Sequence, residues 1–374
     1  MKVLLVGNYP YLYSQSMDQF ATILDKEIKA HGHESWLLRP KTKVGRVMRK
    51  PVGVGKWLGY LDMFILFPVD LKPAVKWADV IHICDHANAL YVPWLRGKPH
   101  VVTCHDMIAV RSARREIPKN KVKLTGRVYE RWILNSLKKA QHIACVSATT
   151  ESDLLRLCGT AAPVTSVVHN GLNYSYTPMP RGEQLMYFEK LHINRDSKFF
   201  LHVGSNSFYK NRAAVIRIFS HLVRDATYAN HRLVMAGKGL PRDLLQEASR
   251  CGVGPKLIEV RNPTQEQLRA LYSSAEALIY PSLYEGFCWP IIEAQACGCP
   301  VFTSNRHPMM EVGGEGAAYL DPQDYEAAAT VILHGLRNRD RMVELGYCNA
   351  EKYSTSRMVD GYLKLYKQLI QRDQ

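Results

Sequence analysis

The chain has 374 residues, 47% hydrophobic and 22% charged, and a formal net charge of +15. That length exceeds one ordinary core and implies two domains. The composition excludes a low-complexity chain, and no apolar run reaches the roughly 18 residues of a membrane span.

The opening KVLLVG (2–7) reads as a strand ending in a glycine turn. Its short apolar run, with no small-residue cleavage site after it, argues against a signal peptide and for a cytoplasmic protein. QFATILDKEIKAHGH (19–33) has helical spacing and a stopping glycine. ESWLL (34–38), DVIHIC (79–84), HVVTC (100–104), HIACVS (142–147) and TSVVH (165–169) follow as short strands rich in β-branched residues. The pattern then starts again. KFFLHVG (198–204) is a strand, AAVIRIFSHLVRDA (213–226) a helix, and HRLVMAGKG (231–239) a strand with its turn. KLIEV (256–260), EALIY (276–280), CPVFTS (299–304) and AAYL (317–320) complete a second set.

Near-continuous apolar strands separated by helices imply parallel sheets covered on both faces. The expected fold class is therefore α/β, with two facing, Rossmann-like, doubly wound domains and a cleft between them. The expected boundaries are 1–180 and 190–353. An amphipathic helix over 354–372 closes the chain, and the tail 354–374 is expected to pack back on the first domain.

Nine cysteines form no CxxC pair, which suits buried thiols in a reducing compartment better than disulfides or zinc. The basic excess is uneven: residues 1–190 hold 27 Lys and Arg against 15 Asp and Glu. Clusters at 41–50 and 111–127 point to a polyanionic partner, either an anionic membrane face or a diphosphate. Nucleic acid is not expected, because helix-turn-helix, zinc-finger and RNP signatures are absent. WLGYLDMFILFP (57–68) reads either as a core helix or as a segment whose flank meets an anionic leaflet. In the second case Lys41, Lys43, Arg46, Arg49 and Lys50 would help.

Open parallel sheets bind ligands beyond the carboxyl ends of their strands. PSLYEGFCWPIIEAQACGCPV (281–301) begins at such an end. Glu285 falls in the loop, Gly286 permits tight backbone, and Pro290 suits a first helical turn. The N–H groups of Phe287 and Cys288 then lie near a helix N-terminus, which attracts anions. Glu293, about one turn in, suits a ribose diol, and Glu285 suits sugar hydroxyls; both also suit the start of a helix simply as acids. GSNSFYKNR (204–212) places Lys210 after another strand as a phosphate partner. His105, after HVVTC, can donate to a sugar hydroxyl or shuttle a proton, or serve only structurally.

PSLYEGFCWPIIEAQACGCPV resembles the E-x(7)-E signature of glycosyltransferase family four, retaining enzymes of GT-B fold. VVTCHDM, IACVSATTESDL, VVHNGLN, HVGSNSFYKN, LVMAGKG and EVGGEGAAYLDP match in order along some 350 residues. The resemblance implies transfer of a hexose from a nucleotide-diphosphate sugar to a glycan or lipid-linked acceptor, with no metal and no other cofactor. By carry-over, Glu293 holds the donor ribose and Glu285 the donor sugar. Lys210 and the Phe287 and Cys288 amides stabilise the leaving diphosphate, and His105 contacts the transferred sugar. Gly7, Ser205, Asn211 and Gly286 complete the expected donor site. The chain departs from the pattern at Ser205, where arginine is frequent, and in PYLYSQSMDQF, which lacks a Gly-Gly pair. Arg212 is a candidate replacement cation. A transferase for a small soluble acceptor and a silent nucleotide-sugar-binding protein are the alternatives. Neither glycine turn reads GxGxxG, which argues against a nicotinamide dehydrogenase.

Overall fold

The computed structural model describes residues 1–10, 15–44, 54–95 and 97–373. It divides into two units, Met1–Asn173 with Thr355–Gln374, and Tyr174–Ser354.

The first unit is built on β1 (Lys2–Val6), β2 (Glu34–Leu38), β3 (Val80–Ile83), β4 (His100–Cys104), β5 (His142–Cys145) and β6 (Val164–Val167). They form one sheet in the order β2-β1-β3-β4-β5-β6, with every pairing parallel. Strand side chains alternate between two apolar layers. Leu4, Val6, Ile81, Ile83 and Val102 enter one; Val3, Leu5, Val80, Val101 and Ala144 enter the other. Two enclosed faces explain why these strands lack an apolar–polar alternation.

The second unit repeats the plan with β7 (Phe199–Gly204), β8 (Arg232–Gly237), β9 (Leu257–Arg261), β10 (Leu278–Tyr280), β11 (Val301–Ser304) and β12 (Ala317–Leu320). Its order is β12-β11-β10-β7-β8-β9, again all parallel. The two six-stranded parallel sheets match the expected fold class.

The second unit begins at Tyr174, a few residues ahead of the expected join. The helix Arg181–Lys190, unassigned in the sequence reading, belongs to it. Ser274 Oγ donates to Gln184 Oε1 at 2.7 Å, and the Met179 amide donates to Ser273 Oγ at 3.0 Å. The final helix, Thr355–Asp373, covers the first sheet with Met358, Val359, Tyr362, Tyr366 and Leu369.

A polar knot fixes that helix. His82 Nδ1 lies 2.6 Å from Tyr366 Oη and His82 Nε2 2.6 Å from Thr103 Oγ1, which lies 2.9 Å from Tyr362 Oη. All four residues are buried. Burial lowers the His82 pKa to about 3, so the folded protein holds the ring neutral while an unfolded chain protonates it near 6.5. The contribution is complete above 6.5 and declines as pH falls towards 3, by about 1.4 kcal/mol per pH unit. Urea unfolding from pH 7 to pH 4 is expected to show this loss, and His82→Gln a shallower pH slope.

Candidate active site

In the second sheet the chain runs β7, β8, β9 outward and then returns to place β10 on the other side of β7. The loops leaving β7 and β10 therefore emerge side by side at the point where strand order reverses, the position at which open sheets hold ligands. The Leu283 amide donates to Tyr209 O at 2.7 Å, and Asn211 Nδ2 donates to Pro281 O at 3.0 Å and Pro322 O at 3.2 Å. Asn211 has φ 52°, a left-handed conformation that asparagine tolerates better than most residues.

These loops bring Lys210 and Glu285 together. Lys210 Nζ donates to Glu285 Oε1 at 2.7 Å and Oε2 at 2.9 Å, and to Tyr280 Oη at 2.8 Å. Tyr280 Oη in turn donates to Glu285 Oε1 at 2.7 Å. The two charged side chains are only 17% and 8% exposed. Burial alone would lower the Lys210 pKa, but the Glu285 carboxylate outweighs it and the net direction is upward. Burial, and then Glu285, push the Tyr280 hydroxyl well up. Lys210 and Glu285, expected as phosphate and sugar partners, are thus an ion pair closed by a tyrosine. Tyr280 was missed from the sequence, although its place as the last residue of β10 was the signal.

Cys288 precedes the helix Trp289–Ala296 with φ 87°, and Pro290 occupies its first turn. The Phe287 and Cys288 side chains are buried, and burial pushes the Cys288 thiol well up, so it stays neutral. Gly286 sits in the loop ahead of them.

Glu293 departs from the expected open carboxylate. It is 5% exposed and accepts a 2.9 Å hydrogen bond from Tyr272 Oη. The cause is the helix itself, whose residues Ile291–Ala296 are all buried.

Ser205 Oγ donates to Ser207 Oγ at 3.1 Å, and Arg212 is buried. One guanidinium nitrogen of Arg212 donates to Asn206 Oδ1 and, at 2.8 Å, to Lys238 O. Asn206 Nδ2 donates to Gly239 O at 2.7 Å. Arg212 therefore fastens the loops after β7 and β8 through that one nitrogen, while its Nε and other terminal nitrogen are buried without a hydrogen-bond partner among the described residues. Gly237 serves the same junction. Its φ is 122°, and a Cβ there would lie 2.2 Å from Gly204 O. His202, also missed, donates from Nδ1 to Ile279 O at 3.0 Å; burial lowers its pKa to about 3.

Gly7 and His105 belong to the first unit, at the ends of β1 and β4. A Cβ on Gly7 would meet Arg39 Cγ at 3.0 Å and Leu37 Cδ1 at 3.3 Å. Residues 11–14 of PYLYSQSMDQF lie outside the described residues. His105 is buried, and its Nε2 donates to Cys84 O at 2.9 Å. Burial lowers its pKa, with Asp85 pulling the other way. Its Nε2 proton is committed to that carbonyl. Asp106, its neighbour, caps the next helix through the Ile108 amide at 2.8 Å.

The two parallel six-stranded sheets are the GT-B fold. The synechococcal sucrose-phosphate synthase of Thermosynechococcus elongatus superposes with a TM-score of 0.77 at 18% identity, covering 99% of each chain. HepE of Anabaena, solved with UDP and glucose, gives 0.72 at 14% identity over 98% of this chain and all of that one. The family model for glycosyl transferases group 1 matches residues 184–352, and that for glycosyltransferase family 4 matches residues 20–176. The two matches together span most of the sequence, and the chain belongs to glycosyltransferase family four. Among named relatives, the O-antigen chain mannosyltransferase B of Escherichia coli is 28% identical over 289 residues, 76% of this chain and 74% of that protein.

Removing one member of a buried ion pair strands the other. Lys210→Met is expected to cost about 3 kcal/mol in urea unfolding, and Lys210→Met with Glu285→Gln to recover most of that loss.

Proposed function

We propose that the protein is a retaining hexosyltransferase that moves mannose or a similar hexose from a nucleotide-diphosphate sugar to a glycan or lipid-linked acceptor, building a surface polysaccharide. The observation that carries this reading is the Lys210–Glu285–Tyr280 cluster at the strand-order reversal of the second sheet. The named activity of the Escherichia coli relative supports mannose and a polysaccharide acceptor. UDP and glucose in the HepE structure support a nucleotide-sugar donor.

In this reading Lys210 turns from Glu285 to the donor phosphates and balances the charge that grows as the sugar–phosphate bond breaks. Glu285, still tied to Tyr280, takes hydroxyls of the donor sugar. Glu293 takes the ribose in exchange for the Tyr272 hydroxyl. The Phe287 and Cys288 amides, with Gly286 giving close approach, bind the diphosphate, and Ser205 and Asn211 shape the turn beside it. Gly7 also serves the donor, and His105 contacts the transferred sugar. The acceptor oxygen bonds to the anomeric carbon on the face the phosphate leaves, and the acceptor proton passes to a departing phosphate oxygen. Retention follows from that shared face, and Lys210 and the amides stand where other transferases use a divalent ion. The enzyme works in the cytoplasm, at the inner membrane surface where lipid-linked acceptors are held.

A thermal-shift screen with GDP, UDP, dTDP and ADP and their hexose conjugates tests the donor. At 100 times its dissociation constant, the right nucleotide stabilises the fold by about 2.7 kcal/mol. Glu285→Ala is expected to abolish transfer while keeping the nucleotide shift, and Glu293→Ala to weaken the shift. A protein that responds to no nucleotide sinks the reading.

A further inference from the structure

The first unit presents an apolar surface that the transfer site does not use. Leu61, Ile65 and Val69 recur at four-residue intervals along Val54–Leu61, the π-turn Asp62–Leu66 and Phe67–Trp77. Leu124, Val128 and Trp132 recur at the same interval on the helix Leu124–Leu137. Each of the six is between 41% and 73% exposed. Isolated exposed apolar residues are ordinary, but here two stripes adjoin. Phe64 meets Trp132 with ring centroids 5.4 Å apart, and Tyr60 stacks on Tyr129 at 6.0 Å. Asp62 keeps its register by turning inward, where it accepts from Tyr9 Oη at 2.9 Å and from the Val44 amide at 2.9 Å.

The surroundings say what this face meets. A groove of about 510 Å³ runs between Ile108–Ala113 and Leu124–Leu137, lined by Arg114, Arg127, Arg131 and Lys138 and rimmed by Leu124 and Val128. Glu130 also lines it. Lys119, Lys121 and Lys123, all exposed, lead into the apolar helix. Residues 111–139 hold ten Lys and Arg against two acids, Glu116 and Glu130. Glu116 is already engaged by Arg156 at 2.8 Å and Arg111 at 3.5 Å. Apolar stripes beside a dense cationic field match the two layers of an anionic bilayer surface, acyl boundary and phosphate. A nucleic acid has no use for the exposed Leu–Val–Trp stripe, and an apolar protein partner has none for ten cations.

We infer that this face docks on an anionic phospholipid bilayer, its apolar stripes entering the headgroup–acyl boundary and its groove cations taking lipid phosphates. The inference rests on the membrane contact of the proposed function and gives it a location. That location is the 61–69 and 124–138 surface rather than the 41–50 cluster, whose Arg46, Arg49 and Lys50 lie outside the described residues. Trp132 suits such an interface, where tryptophan rings are enriched.

Co-sedimentation of the full chain with vesicles of three parts phosphatidylcholine to one part phosphatidylglycerol tests it, with pure phosphatidylcholine as the comparison. Wild-type protein is expected to bind the anionic vesicles selectively. The pair Arg131→Gln with Lys138→Gln is expected to weaken binding about thirtyfold, and Leu124→Ser with Val128→Ser at least about tenfold. Both variants should keep the wild-type nucleotide thermal shift, so loss of that shift in the wild type would overturn the transferase reading without touching this one. Equal binding to both vesicles, or variants that bind like wild type, would overturn the docking face. So would a lipid-free dimer that Leu124→Ser with Val128→Ser converts to monomer, since the face would then belong to a second copy.

Discussion

Both sheets are parallel and enclosed on two faces, and that enclosure governs where chemistry can sit. In the central strands, which pair on both sides, nearly every side chain enters one apolar layer or the other. A polar group in mid-strand must therefore find a partner or stay neutral, as His82 and His202 do. Only the strand ends are released from this demand. In the second unit the return of the chain to the far side of β7 sets two such ends next to each other, and the charged groups cluster there.

The Lys210–Glu285 pair shows how that position is used. Two charges in a largely dehydrated loop junction are tolerable because they satisfy each other and because Tyr280 completes the carboxylate. The junction is rigid for separate reasons: the left-handed Asn211, the two loop-to-loop hydrogen bonds, and the Arg212–Asn206 bridge to the β8 loop. Under the proposed function, a diphosphate arriving there would meet a cation already oriented by a carboxylate, and binding would exchange one partner of Lys210 for another instead of dehydrating a bare charge.

Much of this was legible in the sequence because it follows from local pattern. Short β-branched runs ending in glycine or polar residues gave all twelve strands to within two residues at nearly every end, and the residues after β4, β7 and β10 were singled out by position alone. What stayed hidden depends on partners far along the chain. Glu285 and Lys210 are 75 residues apart, so their pairing has no local signature. Arg212 was a candidate cation from its position alone, but its tie to Asn206 and to the Lys238 carbonyl of the β8 loop has no local signature. Glu293 lies on a helix buried nearly all round, a fact set by neighbours such as Tyr272. The resemblance to a known family named residue roles, and it could not say which groups already hold one another.

The protonation states bear on how transfer proceeds. Burial keeps His105 and His202 neutral, and the single proton of each ring is given to a backbone carbonyl. Burial holds the Cys288 thiol and the Tyr280 hydroxyl protonated, while Glu285 keeps Lys210 charged. Glu285 itself receives two hydrogen bonds from Lys210 and one from Tyr280. In the second unit, the neutral thiol and hydroxyl and the charged lysine form an electrostatic frame at the strand-order reversal. In the transfer proposed above, the acceptor proton goes to the substrate's own departing phosphate, whose basicity rises as its bond to the sugar breaks. A site that stabilises charge without trading protons is what the proposed same-face transfer requires.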